Sequence, residues 1–236
     1  IESEGHDRSN ISLPDGQDQL VAAVAKVAKR TIVVVNSGSP VEMPWFDEVD
    51  SVLFTFFGGQ QMGNALADVL FGAVNPAART TTTWARKMSD LPVSNTTQSN
   101  GELHYSEGPF IGYRAWQKAK KKPLIPFGYG LSYTSFTSEL VSADKSTARA
   151  KVTNTGNRDG AYVVQIYAHL QSSETFERRL AGFAKDFLKA GESQEVDIAL
   201  EPLAFKRFKG GWQDKTGKWV ITLADNAFAQ GSSLIV

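Results

Sequence analysis

From about residue 136 to the carboxyl end, apolar and polar residues alternate one by one, and this period constrains the fold more than any other feature. Ala148, Ala150 and Val152 alternate with Arg149, Lys151 and Thr153, and Tyr162, Val164 and Ile166 with Gln165 and Tyr167. Further on, Val196, Ile198 and Leu200 alternate with Glu195 and Asp197, and Trp219, Ile221 and Leu223 with Val220 and Thr222. Period two puts the two sets on opposite faces of an extended strand, so these segments read as half-buried antiparallel strands. Turn signals such as "NTGNRDG" and "KAGES" separate them, and about seven strands within a hundred or so residues is the pattern of an immunoglobulin-like sandwich.

The first half of the chain obeys other periods. Between residues 15 and 30, Leu20, Ala23, Val24, Val27 and Ala28 recur at helical spacing, after Pro14-Asp15 and ahead of Lys29-Arg30. Residues 31–36, "TIVVVN", and 51–56, "SVLFTF", are short runs apolar on both faces, as buried parallel strands are. After the second, "GGQQMGNALADVLFG" sets Met62, Leu66, Val69 and Leu70 on one face of a helix that stops at Gly72. Helix, strand, strand, helix is a piece of an α/β layer. Two strands make no stable open sheet, so the expectation is an incomplete α/β sandwich layer whose other strands lie upstream. Residues 73–126 show little periodicity and are expected to form a long connection wrapped onto a neighbour.

The chain has 236 residues, long enough for two domains, and its 42% hydrophobic and 21% charged residues are those of a globular protein. Lys+Arg and Asp+Glu balance at 25 each, so no basic field exists to hold a nucleic-acid backbone or an anionic membrane, and neither is expected as a partner. Without cysteine there are no disulfides or thiolate metal sites, and no metal or other cofactor is called for. The compartment is left open, extracellular or cytoplasmic.

The first ten residues, "IESEGHDRSN", combine Glu2, Glu4, His6, Asp7 and Arg8 without a leader pattern, and read as the interior of a longer protein. Taken alone, such carboxylates would be solvated groups near a chain end. Together with "ISLPDGQDQL", "VVVNSGSPVEMPW" (33–45), "ALADVLFGAVNPAART" (65–80), "YSEGPFIGYRAW" (105–116), "PFGYGLSYTSF" (126–136) and "VTNTGNRDGAYVVQIY" (152–167), however, "EGHDR" (4–8) follows a familiar order and spacing. The chain resembles the carboxyl-terminal portion of glycoside hydrolase family 3, the retaining β-glucosidases and their relatives. Two places depart from the family's usual wording, Gly58-Gly59-Gln60-Gln61 at a helix start and Ala78-Arg79-Thr80-Thr81 in the junction loop.

The resemblance implies the C-terminal part of the family's α/β sandwich domain with a junction loop over residues 1–127, and a fibronectin type III-like domain over 128–236. It implies hydrolysis of terminal β-linked glucose-like residues with retention, on an oligosaccharide or β-glucoside substrate. Glu4 corresponds to the family's catalytic acid/base, while the nucleophile Asp belongs to an N-terminal barrel domain absent from these residues, so the chain alone should be inactive. Glu2 is the alternative acid. His6 and Arg8 are the expected substrate-binding residues, and Arg8 with Asp7 also reads as a pair that fixes the loop. Elsewhere, His104 and Glu107 fit a segment that braces the domain junction better than an active-site loop. Trp45, Trp84 and Trp116 fit packing better than sugar stacking. Asn10-Ile11-Ser12 and Asn95-Thr96-Thr97 are glycosylation sequons. The competing class of function is a non-catalytic carbohydrate-binding or scaffolding module.

Overall fold

A computed structural model of the chain describes residue 5 and residues 8–93, 97–173 and 177–236. In the first half, helix α1 (Gln17–Val27) leads to strand β1 (Ile32–Val35), strand β2 (Ser51–Phe54), helix α2 (Met62–Leu70) and, within the long connection, a short helix α3 (Tyr113–Lys118). β1 and β2 pair in parallel, from Ile32 opposite Ser51 to Val35 opposite Phe54. Asp50 fixes this register, its carboxylate accepting from Thr31 N at 2.7 Å while its own N–H donates to Thr31 O at 3.0 Å. Val35, Val41, Met43, Trp45, Trp84 and Ile125 form the core of this half, with Val21, Val33 and Phe54 packed against it. Trp45 and Trp84 are thus core residues; the Trp84 ring lies 4.4 Å from Phe54, and Trp45 Nε1 donates to Asp18 on α1 at 2.7 Å.

Two expectations for this half fail in the same way. α1 turns Val21, Ala22 and Ala25 inward, and the Leu20, Val24, Val27 stripe expected to be buried faces solvent, Val27 being 86% exposed. β1 is covered on one face only, since Ile32 and Val34 are also exposed. α2 keeps Met62, Leu66 and Val69 half-buried but leaves Leu70 outside, and Gly72, with φ of 78°, takes the left-handed conformation that ends the helix.

The second half is a closed sandwich. β3 (Phe136–Ala143), β4 (Thr147–Asn154) and β7 (Ser193–Ala199) form one antiparallel sheet in the order β3-β4-β7. β5 (Gly160–Leu170) and β6 (Arg179–Leu188) join β10 (Trp219–Ala224) and β11 (Gly231–Ile235) in the other, ordered β11-β10-β5-β6. A hairpin of β8 (Lys206–Phe208) and β9 (Trp212–Asp214), turning at Gly210 and Gly211, stands outside both sheets and was not expected. Ala148, Ala150, Val152, Val164, Ile166, Ile198 and Ile221 fill the space between the sheets and are essentially inaccessible. The buried side chain of Asn154 holds the "NTGNRDG" turn: its amide donates to Arg158 O and Leu188 O, and its carbonyl accepts from Thr134 Oγ1 and Gly156 N.

The outer face of β5 is where alternation misleads. Gln165 and Tyr167, on the side expected to be half-exposed, are 4% and 0% exposed because the connection from the first half lies over them. Gln165 Nε2 donates to Gly128 O at 2.9 Å and Asp225 O at 2.8 Å, and Tyr167 OH donates to Gln165 Oε1 at 2.8 Å. Gly128 has φ of 84°, and a Cβ there would stand 2.1 Å from Gln165 Oε1, so the first glycine of "PFGYGLSY" is required on both counts.

Candidate functional site

Residues 8–12 lie beside the carboxyl end of β1. Ser37 Oγ donates to Ser39 O at 2.7 Å and shapes the turn after that strand. Arg8 reaches this turn, its Nη2 donating to Ser39 Oγ at 2.8 Å and to Pro40 O at 3.2 Å. Glu42 continues the attachment: its N–H donates to Ile11 O at 2.8 Å, and its carboxylate accepts from Ser12 Oγ at 3.3 Å and Met88 N at 2.6 Å. Residues 8–12 are therefore pinned along the 37–42 loop, at the strand ends where open α/β sheets bind ligands. Gly5 has φ of 81°, a conformation that glycine adopts without strain.

Of the expected site residues, Arg8 is exposed, and its Nη2 donates to Ser39 Oγ and Pro40 O. Glu4 and His6 lie outside the described residues, as do Glu2, Asp7, Asn95 and Thr96. His104 pairs with Glu102 at 3.6 Å on an exposed loop, remote in sequence from the pinned segment.

The bracing expected of the "EGPFIGYR" stretch is done by α3. Tyr113 OH accepts from Leu180 N at 2.8 Å, Gln117 Nε2 donates to Ala227 O at 2.8 Å, and Gln117 Oε1 accepts from Arg178 N at 3.2 Å. Glu177, 8% exposed, faces Arg114 at 3.1 Å, Arg179 at 2.8 Å and Lys215 at 3.5 Å. Burial pushes the Glu177 carboxyl up, but Arg179, with Lys215 and Arg114, outweighs it and holds the group below the usual carboxylate range. A second clamp joins the end of α2 to the sandwich: Asn75 Nδ2 donates to Asp159 O at 3.0 Å, Tyr133 OH to Val69 O at 2.8 Å, and Arg158 to Gly72 O. Sequence reading missed Glu177, because its cations come from three separate parts of the chain.

Among the described residues no cluster of His, Cys, Asp or Glu has the makings of a metal site, and no helix is long and apolar enough to cross a membrane.

The architecture is an α/β layer clamped to a seven-stranded antiparallel sandwich, with residues 8–12 held at the carboxyl end of β1. Residues 1–133 match the glycosyl hydrolase family 3 C-terminal domain and residues 162–233 the fibronectin type III-like domain. The chain belongs to glycosyl hydrolase family 3. It is 40% identical to thermostable beta-glucosidase B of Acetivibrio thermocellus, over 94% of this chain and 31% of that protein. With a probable beta-glucosidase I of Emericella nidulans it shares 38% identity, over 92% of this chain and 27% of the relative. The crystal structure of the Kluyveromyces marxianus beta-glucosidase superimposes with a TM-score of 0.93 at 34% identity, covering 100% of this chain and 30% of that one. The chain thus spans about three-tenths of the length of these relatives.

Proposed function

We propose that the chain is the acid/base-bearing part of a retaining β-glucosidase-type hydrolase that removes terminal β-linked glucose-like residues, with residues 1–127 forming the α/β portion and 128–236 the fibronectin-like domain. The observation that carries this reading is the end-to-end similarity to β-glucosidases three times as long. Pinning of the segment after "EGHD" at the carboxyl end of β1 supports it, since a reactive carboxylate needs a rigid base. The exposed apolar stripe of α1 and bare face of β1 support an upstream segment that covers them.

Retention requires two carboxyls about 5–5.5 Å apart. In the proposed reaction an Asp on the upstream barrel attacks the anomeric carbon while Glu4 protonates the departing aglycone oxygen, leaving a glycosyl ester and the Glu4 carboxylate. That carboxylate then takes a proton from water as its oxygen attacks the anomeric carbon, which frees the Asp and restores the acid. In this reading Arg8 anchors the segment that follows Glu4 to the 37–42 loop, and the role assigned to His6 is contact with a sugar hydroxyl. The 236 residues alone lack the nucleophile and should not turn over an aryl β-glucoside.

The test uses the enzyme with its barrel in place. With a dinitrophenyl β-glucoside, protonation of the leaving group matters little, so Glu4→Ala should give a burst followed by a low steady rate. Added azide, which needs no general base, should restore turnover and yield a β-glucosyl azide, whereas Glu2→Ala should hydrolyse near normally without that product. Azide rescue of Glu2→Ala alone would exchange the roles, and full activity of both variants would place the acid elsewhere.

A further inference from the structure

An open cleft of about 480 Å³ lies where the connection of the first half meets the sandwich. Thr81, Thr82 and Thr83 line it together with Tyr113 from α3, Glu201 after β7 and Trp212 on the β8–β9 hairpin. We infer that this cleft is a carbohydrate-binding site that takes a short, neutral β-linked gluco-oligosaccharide. The choice of glucose and its linkage rests on the proposed function, whereas the choice of a neutral sugar rests on the cleft itself.

Its apolar component is an aromatic ring held in solvent. Trp212 is 55% exposed and Phe208 69% exposed, and the two rings pack edge to face at 5.6 Å across the hairpin. Neither is buried in the sandwich core, so the hairpin presents aromatic surface instead of hiding it, as binding surfaces do. A pyranose offers the complement, with C–H groups on the faces of its ring to pack on indole and hydroxyls around its edge to bond to polar groups.

Part of the polar lining has no side-chain hydrogen bond within the protein. Among the described residues no side-chain hydrogen bond holds Thr81 or Thr82. Thr83 Oγ1 is buried with no hydrogen-bond partner, although nearly all buried hydroxyls find one. Glu201 accepts from Leu203 N through one oxygen, which leaves the other for a ligand hydroxyl.

Charge gives an anionic occupant no unpartnered cation to bind. The cleft contains two guanidinium groups, Arg114 and Arg179, but both are bound to Glu177, and Arg179 also donates to Lys206 O at 2.6 Å. What remains is aromatic and apolar surface, including Trp212, with threonine hydroxyls and the Glu201 carboxylate, in a space of the size that small-molecule sites have, which suits a polyhydroxylated neutral ligand.

Calorimetric titration of the 236-residue chain with cellotetraose, with maltotetraose as the α-linked control, tests the inference. Cellotetraose should bind with a Kd on the order of 1 mM or below, and maltotetraose at least about tenfold more weakly. Trp212→Ala, on an exposed hairpin, should keep the thermal unfolding of the parent and lose at least about tenfold in affinity. Thr83→Val, which keeps the shape and removes the hydroxyl, should lose a further, smaller factor. Absence of saturable cellotetraose binding, equal binding of both sugars, or unchanged affinity in Trp212→Ala would overturn it. Azide rescue of Glu4→Ala does not involve Trp212, so either proposal can fail while the other stands.

Discussion

The two halves of the molecule handle apolar surface in opposite ways. In the sandwich, two sheets close on each other, and Val164, Ile166, Ala168 and Ile221 of the four-stranded sheet are wholly inaccessible. In the α/β half, two strands and a helix share one side of a core, while Leu20, Val24, Val27 and Ile32 remain in solvent. Composition is similar on both sides; what differs is the number of layers. A sandwich brings both of its layers within about a hundred residues, whereas a parallel sheet needs helices over each face and several strands between them. The first half is stable to the extent that its clamps on the second half hold it.

The largest effect that sharpens this contrast belongs to the sandwich core. Ile166→Ala removes a fully buried branched side chain and should cost about 4 kcal/mol, read as a lower denaturant midpoint for the whole chain. Gly128→Ala strikes the contact between the halves, where a Cβ meets the Gln165 amide at a positive φ, and should cost about 3 kcal/mol. If the halves were independent, this change would unfold only the first of them, and two transitions would appear in a thermal scan in place of one.

The Glu177 cluster gives a pH signature of the same contact. Its folded-state carboxyl is held below the usual range, so its contribution is present above the unfolded value of about 4.3 and is lost as pH falls through the lower folded value. Wild type should therefore exceed Glu177→Gln in melting temperature at neutral pH, with the gap closing below about pH 4. A gap that does not change with pH would remove Glu177 from the clamp. The smallest effect belongs to the bare face: Val27→Ser on α1 should change the chain's stability by no more than about 0.5 kcal/mol, despite replacing an apolar residue at helical spacing.

These contrasts also explain what the sequence disclosed. β4 was legible residue by residue because one of its faces meets water, so polarity reports orientation directly. Gln165 and Tyr167 were not, because the layer that buries them comes from residues 113–128, far away in the chain. On α1 both candidate faces are apolar, and period alone does not say whether Val21, Ala22 and Ala25 or Leu20, Val24 and Val27 turn inward. α3, six residues long, and the three-residue strands of the β8–β9 hairpin are too short to show any period. For the candidate site, the motif pointed to Glu4 and His6, outside the described residues, and to Arg8, whose contacts with Ser39 and Pro40 no spacing rule foretells. The threonine and tryptophan cleft left no sequence signal, since Thr81 and Trp212 are 131 positions apart.

Hydrogen exchange followed by mass spectrometry tests the contrast between the halves most directly. In the isolated 236-residue chain, amides of β4, β5 and β10 should exchange only through global unfolding, whereas those of α1 and β1 should exchange orders of magnitude faster through local opening. In the longer enzyme, with the proposed upstream segment present, α1 and β1 should gain protection while the sandwich stays as it was. Protection of β1 equal to that of β5 in the isolated chain would contradict the account, because the first half would then be complete without anything to cover it.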